Sequence, residues 1–225
     1  MGDVRFFMTV NIFITFVAAY LLGSVPFALL LGKLKGVDIR RIGSGNVGAT
    51  NLTRVLGGKW GKTCFLLDFG KGAVPTGVVL IFVDGALPGG AWLPVAAAAG
   101  AVIGHVWPIW LGFNGGKGVA TTLGAIFVLS PWAFLAGGVV WLLLFHISRY
   151  VSLASIGAAA VLPMAHFTAV NWRQPDYEGG TEIQILILLT VLSLFIIWRH
   201  RGNIQRLLKG TEHKFSRKGK EKPCE

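Results

Sequence analysis

The sequence predicts an all-α protein, a bundle of about seven helices that spans a membrane. Of its 225 residues 53% are hydrophobic and only 14% are charged, whereas soluble domains have about 25% charged residues. The mean hydropathy is +0.64, so the chain has more apolar surface than one core of this size could remove from water. Apolar runs near the ~20 residues needed to cross a bilayer recur along it.

Seven apolar runs account for most of the chain, and five of them are plain runs of spanning length. In chain order they occupy residues 6–32, 63–83, 92–113, 119–130, 131–147, 151–170 and 183–198. The first is too long for the apolar part of a signal peptide, and polar residues 68–72 interrupt the second. The fourth covers only about 18 Å at 1.5 Å per residue, so it is expected to be a half-depth or tilted helix. Pro131 suits a helix start and begins the fifth.

The net charge of +11 is distributed unevenly between the two predicted membrane faces. Residues 33–62, the segment from residue 199 onward, Lys117 and Arg149 together hold eighteen of the 21 basic residues. Because Lys and Arg accumulate on the cytoplasmic side, the N-terminus is predicted outside and the C-terminus inside, with seven crossings rather than six. The charge excess then indicates orientation, and no nucleic-acid partner is predicted. We expect one integral membrane domain over 1–215 and a basic, disordered cytoplasmic tail over 216–225.

The first polar segment lies in the loop after the first apolar run, at residues 43–51, and Arg54 follows it. Its members are Gly43, Ser44, Gly45, Asn46, Gly48, Thr50 and Asn51. Glycines at this spacing let backbone N–H groups turn toward one point, and a helix that begins near Thr50 would add its positive end. The segment predicts a phosphate site. A flexible loop of ordinary turn residues is the alternative, because a glycine-rich string alone is a weak signal.

A second glycine loop, formed by Gly115, Gly116, Lys117 and Gly118, joins the third run to the fourth. It lacks the leading glycine spacing of a Walker motif and the Ser or Thr that follows the lysine there. What remains is one cation at a helix start, which suits a phosphate monoester or an acyl phosphate. Lys117 taken alone is better explained as a marker of the cytoplasmic side.

The third polar segment follows the last run, at residues 199–212. On a helix that continues from that run, His200 and Asn203 are three residues apart and share a face. That face could turn into the bundle, although the residues alone favour a basic interfacial helix with a solvated histidine. Glu212, a lone acid among cations, is expected to pair with an arginine.

Ionisable residues inside apolar runs are costly, so each is expected to be paired or functional. Asp68 and Lys71 are three residues apart, and the sequence leaves open whether they pair with each other or have a functional role. His105 is expected to be a buried, hydrogen-bonded histidine, and Ser152 and Ser155 share one helix face. His, Cys and carboxylate residues show no metal-ligand spacing in the sequence, so neither a metal nor another cofactor is predicted.

In order and on one predicted membrane face, the three segments resemble the motifs of the PlsY family of bacterial acyl-phosphate:glycerol-3-phosphate acyltransferases. The likeness covers nearly the whole chain. It implies a seven-helix enzyme of the bacterial inner membrane with its active site at the cytoplasmic face. Such an enzyme would move a fatty acyl group from acyl phosphate to the 1-hydroxyl of glycerol 3-phosphate, giving lysophosphatidic acid and phosphate as the first step of phospholipid synthesis. Its partners would be these substrates, membrane lipids and the enzyme that makes acyl phosphate.

The resemblance also implies roles for individual residues. Catalytic roles fall on Ser44, Asn46, Arg54, Lys117, His200 and Asn203. Substrate-binding roles fall on Gly43, Gly45, Gly48, Thr50, Asn51, Gly115, Gly116, Gly118 and Ser155. Glu212 would be the structural acid of the third segment.

The sequence is compatible with direct acyl transfer and leaves one rival function open. The His-x-x-x-x-Asp pair of acyl-CoA-type glycerolipid acyltransferases is absent from the sequence. We expect Ser44 and Asn46 to hold the acyl phosphate and its developing charge, and Arg54 and Lys117 to clamp the second phosphate. Either His200 or a substrate phosphate oxygen would take the proton. The rival is a transporter of an anion or phosphate ester, since buried polar residues and glycine-rich breaks also mark permeation routes.

Overall fold

The computed structural model describes residues 2–82, 88–173 and 181–215, and within these ranges the chain is helical without strands. The helices are α1 (Gly2–Gly23), α2 (Phe27–Leu34), α3 (Ala49–Leu56), α4 (Gly58–Phe82), α5 (Leu93–Val106), α6 (Val119–Leu129), α7 (Pro131–Ser148), α8 (Val151–Arg173), α9 (Thr181–Arg199) and α10 (Arg201–Leu208). The expected all-α class is confirmed for these residues. The predicted tail at 216–225 lies outside the described residues.

Six helical stretches of the described chain are long and apolar enough to cross a membrane. They are Asp3–Leu34, Gly58–Phe82, Gly90–Leu111, Pro131–Ser148, Val151–Trp172 and Thr181–Arg199. The predicted fourth crossing corresponds to α6, whose 11 residues rise about 16 Å, roughly half of a hydrocarbon core. The count of seven crossings and the direction of the termini stay predictions.

Two of the predicted spans differ from the helices that form. The first run is not one helix, because α1 ends at Gly23 and α2 begins after Pro26, where the proline ring and the missing N–H disfavour helical continuation. The second span begins five residues before its apolar run, at Gly58, and the polar residues 68–72 do not interrupt the helix, since α4 continues through them with Asp68 and Lys71 buried. Their side chains pair, so the helix has no need to break there.

Close backbone contacts hold the helices together. α1 packs on α5, α4 on both α5 and α6, and α7 on α8. At the crossing of α4 and α6 a Cβ added to Gly72 would collide with the Thr121 carbonyl, and one added to Gly124 would collide with the Phe69 carbonyl. Small residues that permit such approach are typical of helix interfaces in membranes, where packing rather than the hydrophobic effect drives association.

Large apolar side chains lie on the outside of the bundle as well as inside it. Leu189, Ile126 and Val102 belong to a buried cluster, while Ile81 and Ile147 are more than 70% exposed. A water-soluble protein rarely presents so much apolar surface, but a lipid environment covers it at little cost. The exposed faces therefore fit a helical bundle surrounded by acyl chains.

A helix begins in or directly after each of the three polar segments. The first ends at Gly48, and α3 begins at Ala49, so the helix start expected near Thr50 is confirmed. The second ends at Gly118, which has φ of 81° ahead of α6. The third differs from expectation, because α9 ends at Arg199 and His200 forms a turn before α10 rather than continuing the helix.

Candidate active site

The three polar segments meet around one cavity of about 1200 Å³. The predicted site residues in its wall are Ser44, Gly45, Asn46, Gly48, Thr50, Asn51, Arg54, Gly115, Lys117, Gly118, Ser155, His200, Asn203 and Glu212. Gly43 and Gly116 are not part of the wall and lie behind it. The structure thus brings together segments that are more than 150 residues apart at their extremes.

The first loop is held in shape by Asn51, which is 1% exposed. Its Oδ1 accepts a hydrogen bond from the Ser44 N–H at 2.9 Å, and its Nδ2 donates to the carbonyls of Ile39 at 2.9 Å and Ile42 at 3.1 Å. Gly43 has φ of 65°, and a Cβ there would collide with the Asn51 side chain. Gly43 and Asn51 therefore build the loop that carries Ser44 to the cavity.

Arg54 projects from α3, the short helix that follows the first loop. Its guanidinium lines the cavity, and its Nε is buried with no hydrogen-bond partner among the described residues. The start of the same helix, Gly48 to Thr50, also lines the cavity, and first-turn N–H groups have no partner within their own helix. This side of the cavity offers a cation and free donors suited to an anion.

The second loop is fixed from both sides by hydrogen bonds to its backbone. Gly115 N donates to the Val106 carbonyl at 3.0 Å, and Gly116 N donates to the His105 carbonyl at 3.2 Å. From the opposite side Arg199 Nη2 donates to the Gly116 carbonyl at 3.0 Å. These contacts fix the backbone next to Lys117, whose side chain enters the cavity.

Lys117 is a half-buried cation in the wall of the cavity. Its ammonium donates to Asn203 Oδ1. The pKa of Lys117 is lowered from 10.5 to about 8, chiefly by burial; the charge of Glu212 opposes this shift, and the nearby arginines add to it. The group therefore keeps its proton at neutral pH but lies close to its titration range, so its charge is available for a phosphate.

Glu212 connects the third segment to α8. Its Oε1 accepts hydrogen bonds from Asn203 Nδ2 at 2.6 Å and Ser152 Oγ at 2.8 Å, and its Oε2 pairs with Arg206 Nε at 2.7 Å. The expected pairing with an arginine is confirmed. Burial alone would raise the pKa of Glu212, but these donors outweigh it and hold the pKa below its usual range. The carboxylate thereby orients Asn203, which in turn holds Lys117.

His200 is 3% exposed, so its interpretation as a solvated histidine is wrong. Its Nδ1 lies 2.8 Å from the Ile196 carbonyl. Because a carbonyl can only accept, Nδ1 carries the proton and the lone pair is on Nε2. Burial, aided by the charge of Lys117, lowers the pKa of His200 from 6.5 to about 4. The neutral ring presents a hydrogen-bond acceptor in the cavity wall.

The far part of the cavity is apolar and reaches the outer surface of the bundle. Its lining there is Phe65, Phe69, Ile126, Phe134, Leu142 and Leu162. Phe65 is 39% exposed and Leu142 is 54% exposed, so the cavity opens toward the lipid-facing side. Between its two parts, Ser155 Oγ donates to the Val151 carbonyl at 2.8 Å and accepts from Trp141 Nε1 at 3.3 Å.

The cavity wall contains residues that the sequence did not single out for the site. Arg199, which the sequence did not assign to the site, donates to the carbonyl of Gly116 and so holds the second loop. Thr122 is 1% exposed and lines the cavity, and its Oγ1 has no hydrogen-bond partner among the described residues. Its position one turn after Gly118 was the available signal. For Trp141 the signal was an indole inside an apolar run, since tryptophans usually lie near membrane interfaces.

Comparison with known families places the chain among lipid-synthesis enzymes. The family model described as glycerol-3-phosphate acyltransferase matches residues 13–210. A glycerol-3-phosphate acyltransferase of Aquifex aeolicus is 46% identical over 199 residues, covering 88% of this chain and 95% of the relative. One from Myxococcus xanthus is 44% identical over 197 residues, covering 87% of this chain and 95% of the relative.

Two crystal structures of PlsY, an integral membrane glycerol 3-phosphate acyltransferase, have the same fold. The glycerol 3-phosphate form has a TM-score of 0.80 at 43% identity and covers 91% of this chain and 96% of that one. The lysophosphatidic acid form has a TM-score of 0.78 at 42% identity and covers 91% and 95%.

Proposed function

Because this chain belongs to the glycerol-3-phosphate acyltransferase family, as its three motifs predicted, we propose that it transfers a fatty acyl group from acyl phosphate to the 1-hydroxyl of glycerol 3-phosphate. The products are lysophosphatidic acid and inorganic phosphate. One observation carries the proposal: a single cavity joins a cationic end, with Arg54 and Lys117, to an apolar end that reaches the lipid-facing surface. Both substrates are anions, and the donor has a long apolar tail.

Different groups at the polar end of the cavity bind the phosphates of the two substrates. Lys117, held by Asn203, and Arg54, with its unused Nε donor, bind the phosphate of glycerol 3-phosphate. Ser44, Asn46 and the N–H groups at the start of α3 bind the acyl phosphate. This division fixes the acceptor hydroxyl beside the acyl carbonyl and turns an encounter of two molecules into a reaction within one site.

The reaction needs no covalent enzyme intermediate, because phosphate is already a good leaving group. The 1-hydroxyl oxygen forms a bond to the acyl carbon, and the bond between that carbon and the phosphate oxygen breaks. Ser44, Asn46 and loop amides stabilise the negative charge that develops on the carbonyl oxygen. The hydroxyl proton goes to an oxygen of the departing phosphate.

His200 positions the acceptor rather than removing its proton. With a pKa of about 4 the ring is a weak base, whereas a phosphate monoester has a second pKa of about 6. Nε2 instead accepts a hydrogen bond from a glycerol hydroxyl. His200→Gln retains an acceptor and should keep appreciable activity, while His200→Ala should lose most of it; equal loss in both variants would restore His200 as the base.

The active site faces the cytoplasm of a bacterial inner membrane that the chain crosses seven times, with the N-terminus outside. The concentration of Lys and Arg on the side of the three polar segments supports this orientation. An enzyme that makes acyl phosphate supplies the donor at the same face.

Purified protein in liposomes provides the test. With palmitoyl phosphate and labelled glycerol 3-phosphate, lysophosphatidic acid should form, and palmitoyl-CoA or palmitoyl acyl carrier protein should not replace the donor. Lys117→Ala should abolish product formation, while the matched Lys62→Ala, which removes an exposed lysine outside the cavity, should not. A preference for a thioester donor would refute the choice of donor, and movement of labelled phosphate across the bilayer without product would favour a transporter.

A further inference from the structure

A buried ionic cluster lies beneath the two glycine loops, at the floor of the cavity. Asp68 of α4 is 2% exposed. Its Oδ1 lies 2.9 Å from Lys71 Nζ and 3.6 Å from His105 Nδ1, and its Oδ2 accepts from Cys64 Sγ at 3.4 Å. Asp68 and Lys71 therefore pair with each other, which was one of the two alternatives that the sequence left open. The cluster also joins α4 to His105 of α5, which neither alternative included.

Lys71 extends this cluster to the break between α1 and α2. Its ammonium donates to the Val25 carbonyl at 2.8 Å, one of the backbone groups left without a helical partner where α1 ends. Removing one member of a buried ion pair leaves an uncompensated charge and is strongly destabilising. Asp68 is therefore held in one place by α4, α5 and the helix break.

His105 connects Asp68 to the second loop through contacts with Gly116. Its carbonyl accepts the Gly116 N–H at 3.2 Å. Its ring lies directly against Gly116, where an added Cβ would collide with Nε2 and would come within 2.8 Å of the Val47 carbonyl. Gly116 of the second loop thus packs closely against both the imidazole and the backbone of the first loop. Nδ1 lies 3.6 Å from Asp68 Oδ1 and has no hydrogen-bond partner among the described residues, so this edge of the ring faces the Asp68 carboxylate.

The residue after Gly116 is Lys117, which we assign to the phosphate of glycerol 3-phosphate. We propose that Asp68, acting through His105, is a positioning residue: it fixes where the backbone of the second loop lies in the cavity wall and thereby the position of Lys117. This inference rests on the proposed function. It predicts an effect on one substrate only, because the acyl phosphate is assigned to the first loop.

The experiment compares two buried histidines that each face an acid. His105→Ala removes the ring under the loop. His166→Ala is the matched control: His166 is 3% exposed, its Nε2 lies 3.3 Å from Glu182 Oε2, its Nδ1 lies 2.9 Å from Ser130 Oγ, and it lies outside the cavity wall. His105→Asn is the rescue variant, because its amide nitrogen can take the place of Nδ1 toward Asp68.

In His105→Ala the KM for glycerol 3-phosphate should rise about tenfold, because the displaced Lys117 ammonium loses one hydrogen bond to the charged phosphate. The KM for palmitoyl phosphate should change less than about threefold. His105→Asn should recover most of the loss, and His166→Ala should leave both KM values near those of the parent protein. Equal shifts for both substrates, or equal shifts in the two alanine variants, would overturn the proposal.

A second variant and a direct binding assay complete the test. If His105→Ala does not fold, His105→Leu, which fills the space but has no nitrogen to face Asp68 and leaves the Asp68–Lys71 pair intact, must raise the KM for glycerol 3-phosphate alone; unchanged values would overturn the proposal. Direct binding of labelled glycerol 3-phosphate to the purified variants needs no turnover. If the parent protein binds this ligand but makes no lysophosphatidic acid, the proposed function fails, while weaker binding in His105→Ala alone still supports the positioning role.

Discussion

Lys117 shows how burial can make a single side chain sensitive to alkaline pH. A lysine in water stays charged to about pH 10.4, but burial and neighbouring arginines lower the pKa of Lys117 to about 8. The protonated form binds phosphate, so binding should weaken as pH rises through that value. We expect kcat/KM for glycerol 3-phosphate to fall about tenfold per pH unit above pH 8, measured from pH 6 to 10.

The replacement Lys117→Arg gives the corresponding control at the same position. A guanidinium keeps its charge beyond pH 12, so the alkaline fall should disappear even if overall activity is lower. Lys62→Arg, at an exposed position outside the cavity, should keep the parent profile. An unchanged alkaline fall in Lys117→Arg would assign it to another group.

At the residue scale, the sequence indicates which residues form the site better than it indicates how buried each of them is. The glycine loops, Arg54 and Lys117 were found because their spacing implies an anion site, and all three elements line one cavity. The burial of His200 was missed because Arg199 and Arg201 on either side make the segment look interfacial. Only the turn between α9 and α10 directs that one side chain inward, and a turn of this kind has no strong local signal.

At the element scale, the crossing of α4 and α6 depends on glycine. Gly72 lies so close to the Thr121 carbonyl that a Cβ would collide with it. A Cβ added to Gly70, two residues earlier on α4, would meet no other atom within 4 Å. Gly72→Ala should destabilise the protein by about 1–3 kcal/mol through overpacking. Gly70→Ala is the matched control and should be neutral or stabilising by up to about 1 kcal/mol, because alanine favours helix.

Thermal unfolding of the two variants in one detergent measures the difference. The midpoint of Gly72→Ala should lie below that of the parent, and the midpoint of Gly70→Ala should equal or exceed it. Equal midpoints for the two variants would mean that the helices can separate without cost and that the glycine contact does not hold them.

The same pair of helices explains why α4 continues through the polar residues 68–72 that interrupt its apolar run. Glycine and charge at 68–72 are local signals for a break, yet packing against α6 and the pairing of Asp68 with Lys71 favour a continuous helix. Tertiary contacts override propensity in this way because propensities are small. By contrast, the break between α1 and α2 has a local signal in Pro26, which the hydropathy of the first run concealed.

At the scale of the whole molecule, the charge asymmetry makes a prediction about topology. A terminus on each side of the membrane requires an odd number of crossings, so α6 must count as one. With Cys224 replaced by Ser and the buried Cys64 retained, single cysteines can report each side. Asp3→Cys should react with an impermeant maleimide in intact spheroplasts, whereas Lys209→Cys should react only after permeabilisation.

The labelling result has two clear contrary outcomes. Reaction of both cysteines in intact cells would mean an even number of crossings with both termini outside. Reaction of neither before permeabilisation would place both termini inside. Either result would remove α6 as a crossing and would leave the six long spans alone.

The predicted fold class and the approximate place of the long, membrane-spanning helices followed from hydropathy, because lipid imposes a minimum length on a spanning helix. The site was predicted as three separate segments, and one residue shows the limit of that approach. Glu212 was expected to pair with an arginine, but its bonds to Ser152 and Asn203 join helices far apart in the chain. Hydrogen bonds of this kind depend on how the helices pack together, and the spacing of residues along the sequence does not show that packing.

The lateral opening beside Phe65 and Leu142 makes the membrane a chemical reservoir for the reaction. Lysophosphatidic acid can move into the leaflet with its tail already among lipids, while phosphate leaves from the polar end into water. The two products therefore dilute into different phases. Reversal requires both to return at once, and we expect the thickness and fluidity of the surrounding bilayer, as well as substrate supply, to set the pace of turnover.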